Sequence, residues 1–140
     1  MKNGGWDAHD TAIVVIIGEQ TSDVVLIRSR KTGLWRFPGD RIRSEDLAAS
    51  RPYDYDAAAE HAVMRITKQR TGLIPKVQRV IKAQRPFGAI YGYAGLANFR
   101  EFAPRDTENT KIFQFENVAT LEMSPTQRAV FEHVVMWTRE

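Results

Sequence analysis

The first apolar stretch of the chain, Thr11-Ala-Ile-Val-Val-Ile-Ile-Gly18, is hydrophobic at odd and even positions alike. That pattern predicts a central strand buried on both faces and ended by the glycine. Ser22 and Asp23 supply a turn, Val24 to Arg28 a second strand, and Lys31-Thr-Gly33 a loop into a third, Leu34-Trp-Arg-Phe37, stopped by Pro38-Gly39. From Gly39 to Asp56 the chain is polar and turn-rich with no clear period, and reads as an exposed loop. Asp56 is the expected N-cap of a helix of about four turns starting at Ala57. Its apolar positions are Ala62, Val63 and Ile66, and Gly72 supplies the left-handed residue beyond its end.

Strand patterns return at Lys76 to Ala83, Ala89 to Phe99 and Lys111 to Phe115, with a loop over Arg105 to Asn109. Ser124-Pro125-Thr126-Gln127 is a strong helix start: Ser as N-cap, Pro at the first helical position and Gln completing a capping box. Val130, Phe131, Val134 and Trp137 then form the buried face of that last helix. Three strands, a helix, further strands and a terminal helix predict an α/β domain, a mixed sheet with helices packed on it. The 140 residues suit one domain, with residues 1–10 expected to be flexible.

Composition narrows the chemistry. Without cysteine there are no disulfides, thiolate metal sites or thiol nucleophiles, which suits a reducing compartment and makes the cytoplasm the expected location. The longest apolar run, Ala12 to Ile17, is far short of the ~20 residues needed to span a bilayer, so no membrane association is expected. A net charge of +3 and a sequence pI near 9.4 favour an anionic ligand without pointing to nucleic acid. Walker loops, dinucleotide-binding glycine fingerprints, zinc spacings and serine-nucleophile elbows do not occur.

Trp35-Arg36-Phe37-Pro38-Gly39 leaving a strand, followed by a helix closed by Thr71-Gly72-Leu73, resembles the Nudix superfamily. The box of that family reads Gly-x5-Glu-x7-Arg-Glu-U-x-Glu-Glu-x-Gly-U, where U is aliphatic. The resemblance implies a Nudix-like α/β/α sandwich, with a Nudix helix and a C-terminal helix on a mixed sheet. Gly39 takes the first glycine, Glu45 the sixth position after it, and Arg65, Gly72 and Leu73 the far end. Glu45 and Arg65 are thus the expected supporting ion pair. Nineteen residues separate them where the family has seven, and the inserted stretch is placed at about 46–57.

The metal-binding glutamates of the family fall on Ile66, Gln69 and Arg70, none of them a carboxylate. Positions i, i+3 and i+4 of a helix share one face, which is why three glutamates there can hold magnesium against a diphosphate. A unit charge 4 Å from a divalent ion is worth ~8 kcal/mol at an effective dielectric of 20, whereas millimolar metal binding totals only ~4 kcal/mol. Exchanging attraction for repulsion at Arg70 therefore removes the ordinary site.

The first expectation is accordingly a protein that binds a nucleotide or other phosphorylated ligand without magnesium-dependent hydrolysis. Arg28, Arg36, Gly39, Arg41 and Arg70 are its expected ligand-binding residues, Arg70 meeting phosphate directly as guanidinium groups do. The alternative is a divergent hydrolase of nucleoside diphosphate derivatives, with Mg2+ held by relocated acids at Asp54, Asp56 and Glu60. Glu101, Asp106 and Glu108 are a second source of carboxylates, and His61 a lone candidate base. Nudix proteins are often homodimers, so a homodimer is consistent with the resemblance.

Overall fold

The computed structural model describes residues 10–50, 54–86 and 88–139. Strand β1 (Thr11–Gly18) is the axis of a seven-stranded mixed sheet. One edge of β1 pairs in parallel with β6 (Gly88–Ala97) through eight residue pairs, from Thr11 with Ile90 to Gly18 with Ala97. The other edge is shared. Its end pairs with β2 (Val24–Arg28) at Ile17 and Val24, and its start pairs with β4 (Gly39–Arg41) from Thr11 to Ile13.

The chain reaches β4 through β3 (Trp35–Arg36), which pairs with β2. β3 ends at Arg36 and the chain bends at Pro38, in keeping with the stop expected there, but Gly39 already opens the next strand. The Pro38 carbonyl accepts from the Val14 amide at 2.9 Å. The third strand is also shorter than expected, because Leu34 and Phe37 fall outside it. On the outer edges, β7 (Thr110–Phe113) pairs with β2, and β5 (Lys76–Arg85) pairs with β6.

Because strand side chains alternate faces, the uniformly apolar β1 feeds two cores. Ala12, Val14 and Ile16 pack under helix α2 (Tyr55–Thr71), against Ala58, Ala59, Ala62 and Val63. Ile13, Val15 and Ile17 pack against Val130, Phe131 and Val134 of helix α4 (Pro125–Thr138). The result is a sheet sandwiched between two helices. Trp137, expected on the buried face of α4, is only partly buried at the rim of that core.

Local chemistry explains the helix ends. The Asp54 side chain accepts from the Ala57 amide and is the N-cap of α2; Asp56, the expected cap, lies inside the first turn. Gly72 closes the helix at φ +73°, as expected of a glycine there. Ser124 caps α4 by accepting from the Gln127 amide, with Pro125 at its start.

The stretch from Gly39 to Asp56 is not simply a loop. It holds β4 and a short helix α1 (Ser44–Ala48), and α2 already begins at Tyr55; residues 51–53, within the stretch expected to be inserted, lie outside the described residues. The strand expected over Lys111 to Phe115 ends at Phe113, and Phe115–Val118 forms a short helix α3. Of residues 1–10, expected to be flexible, 1–9 lie outside the described residues. Asp10 is buried and held: its carboxylate accepts from the Ala89 amide at 2.8 Å and its carbonyl from the Ile42 amide. Among the described residues no helix is long and apolar enough to cross a membrane.

Candidate functional site

Arg65, on the α2 surface facing α1 and β4, is the most heavily bonded side chain of the region. Its Nη2 donates to Asp46 Oδ2 at 2.9 Å, its Nε to Asp46 Oδ1 at 3.1 Å, and its Nη1 to Asp40 Oδ2 at 3.1 Å. The pair with Asp46 is the two-pronged guanidinium–carboxylate arrangement, the strong form of this contact. Asp46 is fully buried and makes two further bonds, with the Arg43 amide at 2.8 Å and with His61 Nδ1 at 2.6 Å. Burial opposes ionisation of that carboxyl, but the bonds from Arg65, the Arg43 amide and His61 outweigh it and hold it below the usual carboxylate range. The same bonds to Asp46, against some loss from burial, push the Arg65 guanidinium further up.

Glu45, the expected partner of Arg65, lies only at its margin. Its carboxylate is 3.7 Å from Arg65 Nε and 57% exposed, with Arg43 3.6 Å away on its other side. Spacing from Gly39 points to Glu45, yet the next residue is the one turned towards α2. Successive helical residues point about 100° apart, so a one-residue ambiguity in the alignment exchanges a buried partner for an exposed one. Spacing puts Asp46 inside the insertion, and neither the Asp40 contact nor the His61 contact carries a local sequence signal.

A second constellation lies at the far end of α2. Arg28, Ser29, Arg30, Lys31, Arg36, Arg70 and Asp106 line a cleft of about 570 Å³, five cations facing one carboxylate. Arg36 reaches it because Trp35 and Phe37, its neighbours in sequence, point into the α4 core, leaving Arg36 on the α2 side of the sheet. Partial burial and the neighbouring Arg70 charge both lower the Arg36 guanidinium, with Asp40 opposing them. Arg36 Nη1 donates to the Gly39 carbonyl at 3.4 Å, while Arg70 has no hydrogen-bond or ion-pair partner among the described residues. Like charges crowded into one cleft in excess of its single carboxylate favour an anion there.

Three of the sequence-predicted ligand residues, Arg28, Arg36 and Arg70, thus meet in one cleft. Arg41 and Gly39 are not among the residues lining it. Arg41 is exposed on β4, and its carbonyl lies 3.5 Å from Arg65 Nη2. Gly39 serves the packing of the sheet instead. A Cβ there would stand 2.7 Å from the Ala12 carbonyl oxygen, so the glycine lets β4 close on β1. The cleft also recruits Lys31, whose side the loop pattern gave no means of assigning.

The helix face that should carry glutamates is equally specific. Ile66 is buried at 8% exposure, Gln69 is exposed, and Arg70 faces the cleft. The three do not present one polar surface, and their donor set does not fit a magnesium cluster. Asp54, Asp56 and Glu60, the relocated-acid alternative, do share a surface pocket of about 470 Å³ with Arg79 and Tyr93. However, Asp54 is occupied as the α2 cap, and Asp56 pairs with Arg79 at 2.5 Å and Lys82 at 3.9 Å. Among the described residues no group of three or more His, Asp or Glu side chains is arranged to hold a metal ion.

No protein-family model matches the sequence, and no curated protein matches it. Solved structures do. The Nudix domain of Shewanella oneidensis NrtR, complexed with ADP ribose, superposes with a TM-score of 0.70 at 15% identity, over 99% of this chain and 94% of that one. A mutT/nudix family protein from Listeria innocua gives 0.73 at 12% identity, covering 95% of each chain. A MutT structure, from a study of Aliivibrio salmonicida and Vibrio cholerae, gives 0.68 at 16% identity, over 91% of this chain and 97% of that one. Identities this low speak for architecture alone, here a mixed sheet between two helices. The chain has the fold of the Nudix superfamily.

Proposed function

We propose that the cleft beside the last turn of α2 binds a nucleotide or other phosphorylated ligand through direct guanidinium contacts, without the magnesium cluster of a Nudix box. The observation that carries this reading is the meeting of Arg36 and Arg70, with Arg70 unpartnered among the described residues at a position where the family places a glutamate. A guanidinium donates up to five hydrogen bonds in a fixed planar fork, and phosphate oxygens match that fork two at a time. The like-charge repulsion between the two arginines is relieved when a phosphoryl group enters. That relief arises only in the bound state and so contributes to affinity. The ADP ribose held by the NrtR Nudix domain is the natural first probe.

Isothermal titration of ADP ribose into the protein, with EDTA in one arm and magnesium in the other, tests the reading. Equal affinity in both arms, lost in Arg70→Glu, is the expected result. Binding that needs magnesium, or that survives Arg70→Glu, would overturn it. Magnesium-dependent release of AMP from the same probe, abolished by replacing Asp54, Asp56 and Glu60 with alanine, would instead establish the relocated-acid hydrolase.

A further inference from the structure

The single carboxylate of the cationic cleft is held more firmly than Arg30, the cation it pairs with. Asp106 Oδ1 accepts from the Asn109 amide at 3.2 Å, and Asp106 Oδ2 accepts from the Asn109 side-chain Nδ2 at 2.9 Å. Asn109 is itself tied to β2: its Oδ1 accepts from Arg28 Nε at 2.9 Å and its carbonyl from the Arg28 amide at 2.8 Å. The remaining contact is an ion pair from Arg30 Nη2 to Asp106 Oδ2 at 3.0 Å, and the Arg30 side chain is 81% exposed. Exposed pairs of this kind are weak, so Arg30 can leave Asp106 for a ligand while Asn109 keeps the carboxylate aimed. The bonds from Asn109 and Arg30 also hold the Asp106 carboxyl below the usual carboxylate range, keeping it an anion.

A fixed anion among five cations is a poor way to bind a bare phosphate. It repels every phosphoryl oxygen that Arg36 and Arg70 attract, and a cleft meant for inorganic anions would be better without it. It suits a ligand that carries hydroxyl donors beside its phosphate. A carboxylate accepts hydrogen bonds only, and a pair of neighbouring hydroxyls can meet its two oxygens as ribose hydroxyls do with acidic residues in dinucleotide sites.

Resting on the proposed phosphate-binding role of this cleft, we propose that Asp106 is its specificity-determining residue, accepting the hydroxyls of a phosphorylated sugar and discriminating against bare inorganic phosphates. Arg36 and Arg70 take the phosphoryl group, Asp106 takes the sugar, and Arg30 moves from the carboxylate to the phosphate.

Calorimetry with three probes, ADP, 2′,3′-dideoxy-ADP and inorganic pyrophosphate, tests this on the wild-type chain and on Asp106→Asn. The expected wild-type result is about tenfold tighter binding of ADP than of its dideoxy analogue, the size of one charge-assisted hydrogen bond. In Asp106→Asn the two nucleotides should converge while pyrophosphate binds more tightly than before. The asparagine retains an acceptor oxygen for the Asn109 amide, and the wild-type comparison needs no variant. Equal wild-type affinity for ADP and dideoxy-ADP, with pyrophosphate still bound through Arg70, would overturn the role of Asp106 and leave the phosphate site standing. No binding of any of the three would remove both.

Discussion

Arg65 and Asp46 lie nineteen positions apart in sequence and 2.9 Å apart in space, and the carboxylate is completely buried. This pair joins α1 to α2, because Asp46 sits in α1 and also accepts from the α1 cap amide of Arg43. Removing one member of a buried pair leaves an uncompensated charge. Asp46→Ala is therefore expected to destabilise the fold by about 3 kcal/mol, measured by urea unfolding. Glu45→Ala, which removes an exposed carboxylate 3.7 Å from Arg65, should stay within about 0.5 kcal/mol of wild type. A larger loss at Glu45 than at Asp46 would contradict this assignment.

The same carboxylate gives acid stability a sign. Its folded pKa lies below its unfolded value, so between the two the unfolded chain binds more protons and stability rises with pH. The contribution is fully present above the ordinary aspartate range near pH 4 and is lost as pH falls through the lower folded value. Melting curves of wild type and Asp46→Asn should therefore converge on acidification below about pH 4, the variant showing the shallower acid limb. A gap that widens towards low pH would refute it.

Arg36 and Arg70 repel each other across the cleft. Arg70→Gln should leave the free protein as stable as wild type or slightly more so, while weakening phosphate-ligand binding at least about tenfold, the ordinary size of a lost charge-assisted contact. Because the cleft is open, wild-type affinity should also fall with added salt, more steeply than in the variant. Thermal melting and titration at two ionic strengths check both parts.

Placing glutamates at Ile66, Gln69 and Arg70 will not behave as three equal changes. Ile66 is 8% exposed, so Ile66→Glu buries a carboxylate and should cost at least about 2 kcal/mol. Gln69→Glu and Arg70→Glu, at an exposed and a cleft position, should fold normally. The informative revertant is thus the double variant, its magnesium affinity measured against wild type.

Gly39→Ala tests the other end of the box. The added methyl meets a backbone oxygen at 2.7 Å, an atom that cannot swing away, so a loss of about 2 kcal/mol or more is expected even without ligand. A variant with wild-type stability and impaired binding would return Gly39 to the ligand site.

Much of the fold was legible because its signals are local. The double-sided apolar run at Thr11 to Gly18, the glycine closing α2 and the Ser124-Pro125 start of α4 act over a few residues, and each occurs where the sequence places it. That Ile66, Gln69 and Arg70 are not carboxylates is likewise read from identity alone. Tertiary structure decided which charged groups meet. Asp46 rather than Glu45 clamps Arg65 because α1 turns one and not the other towards α2, and sequence spacing cannot see a rotation about a helix axis. Arg28, Arg36 and Arg70 share a cleft that Arg41 does not line, because β1 divides one edge between β2 and β4. Those are properties of strand pairing and packing, formed between residues far apart in the chain, so the sequence named the cations while only the folded sheet chose among them.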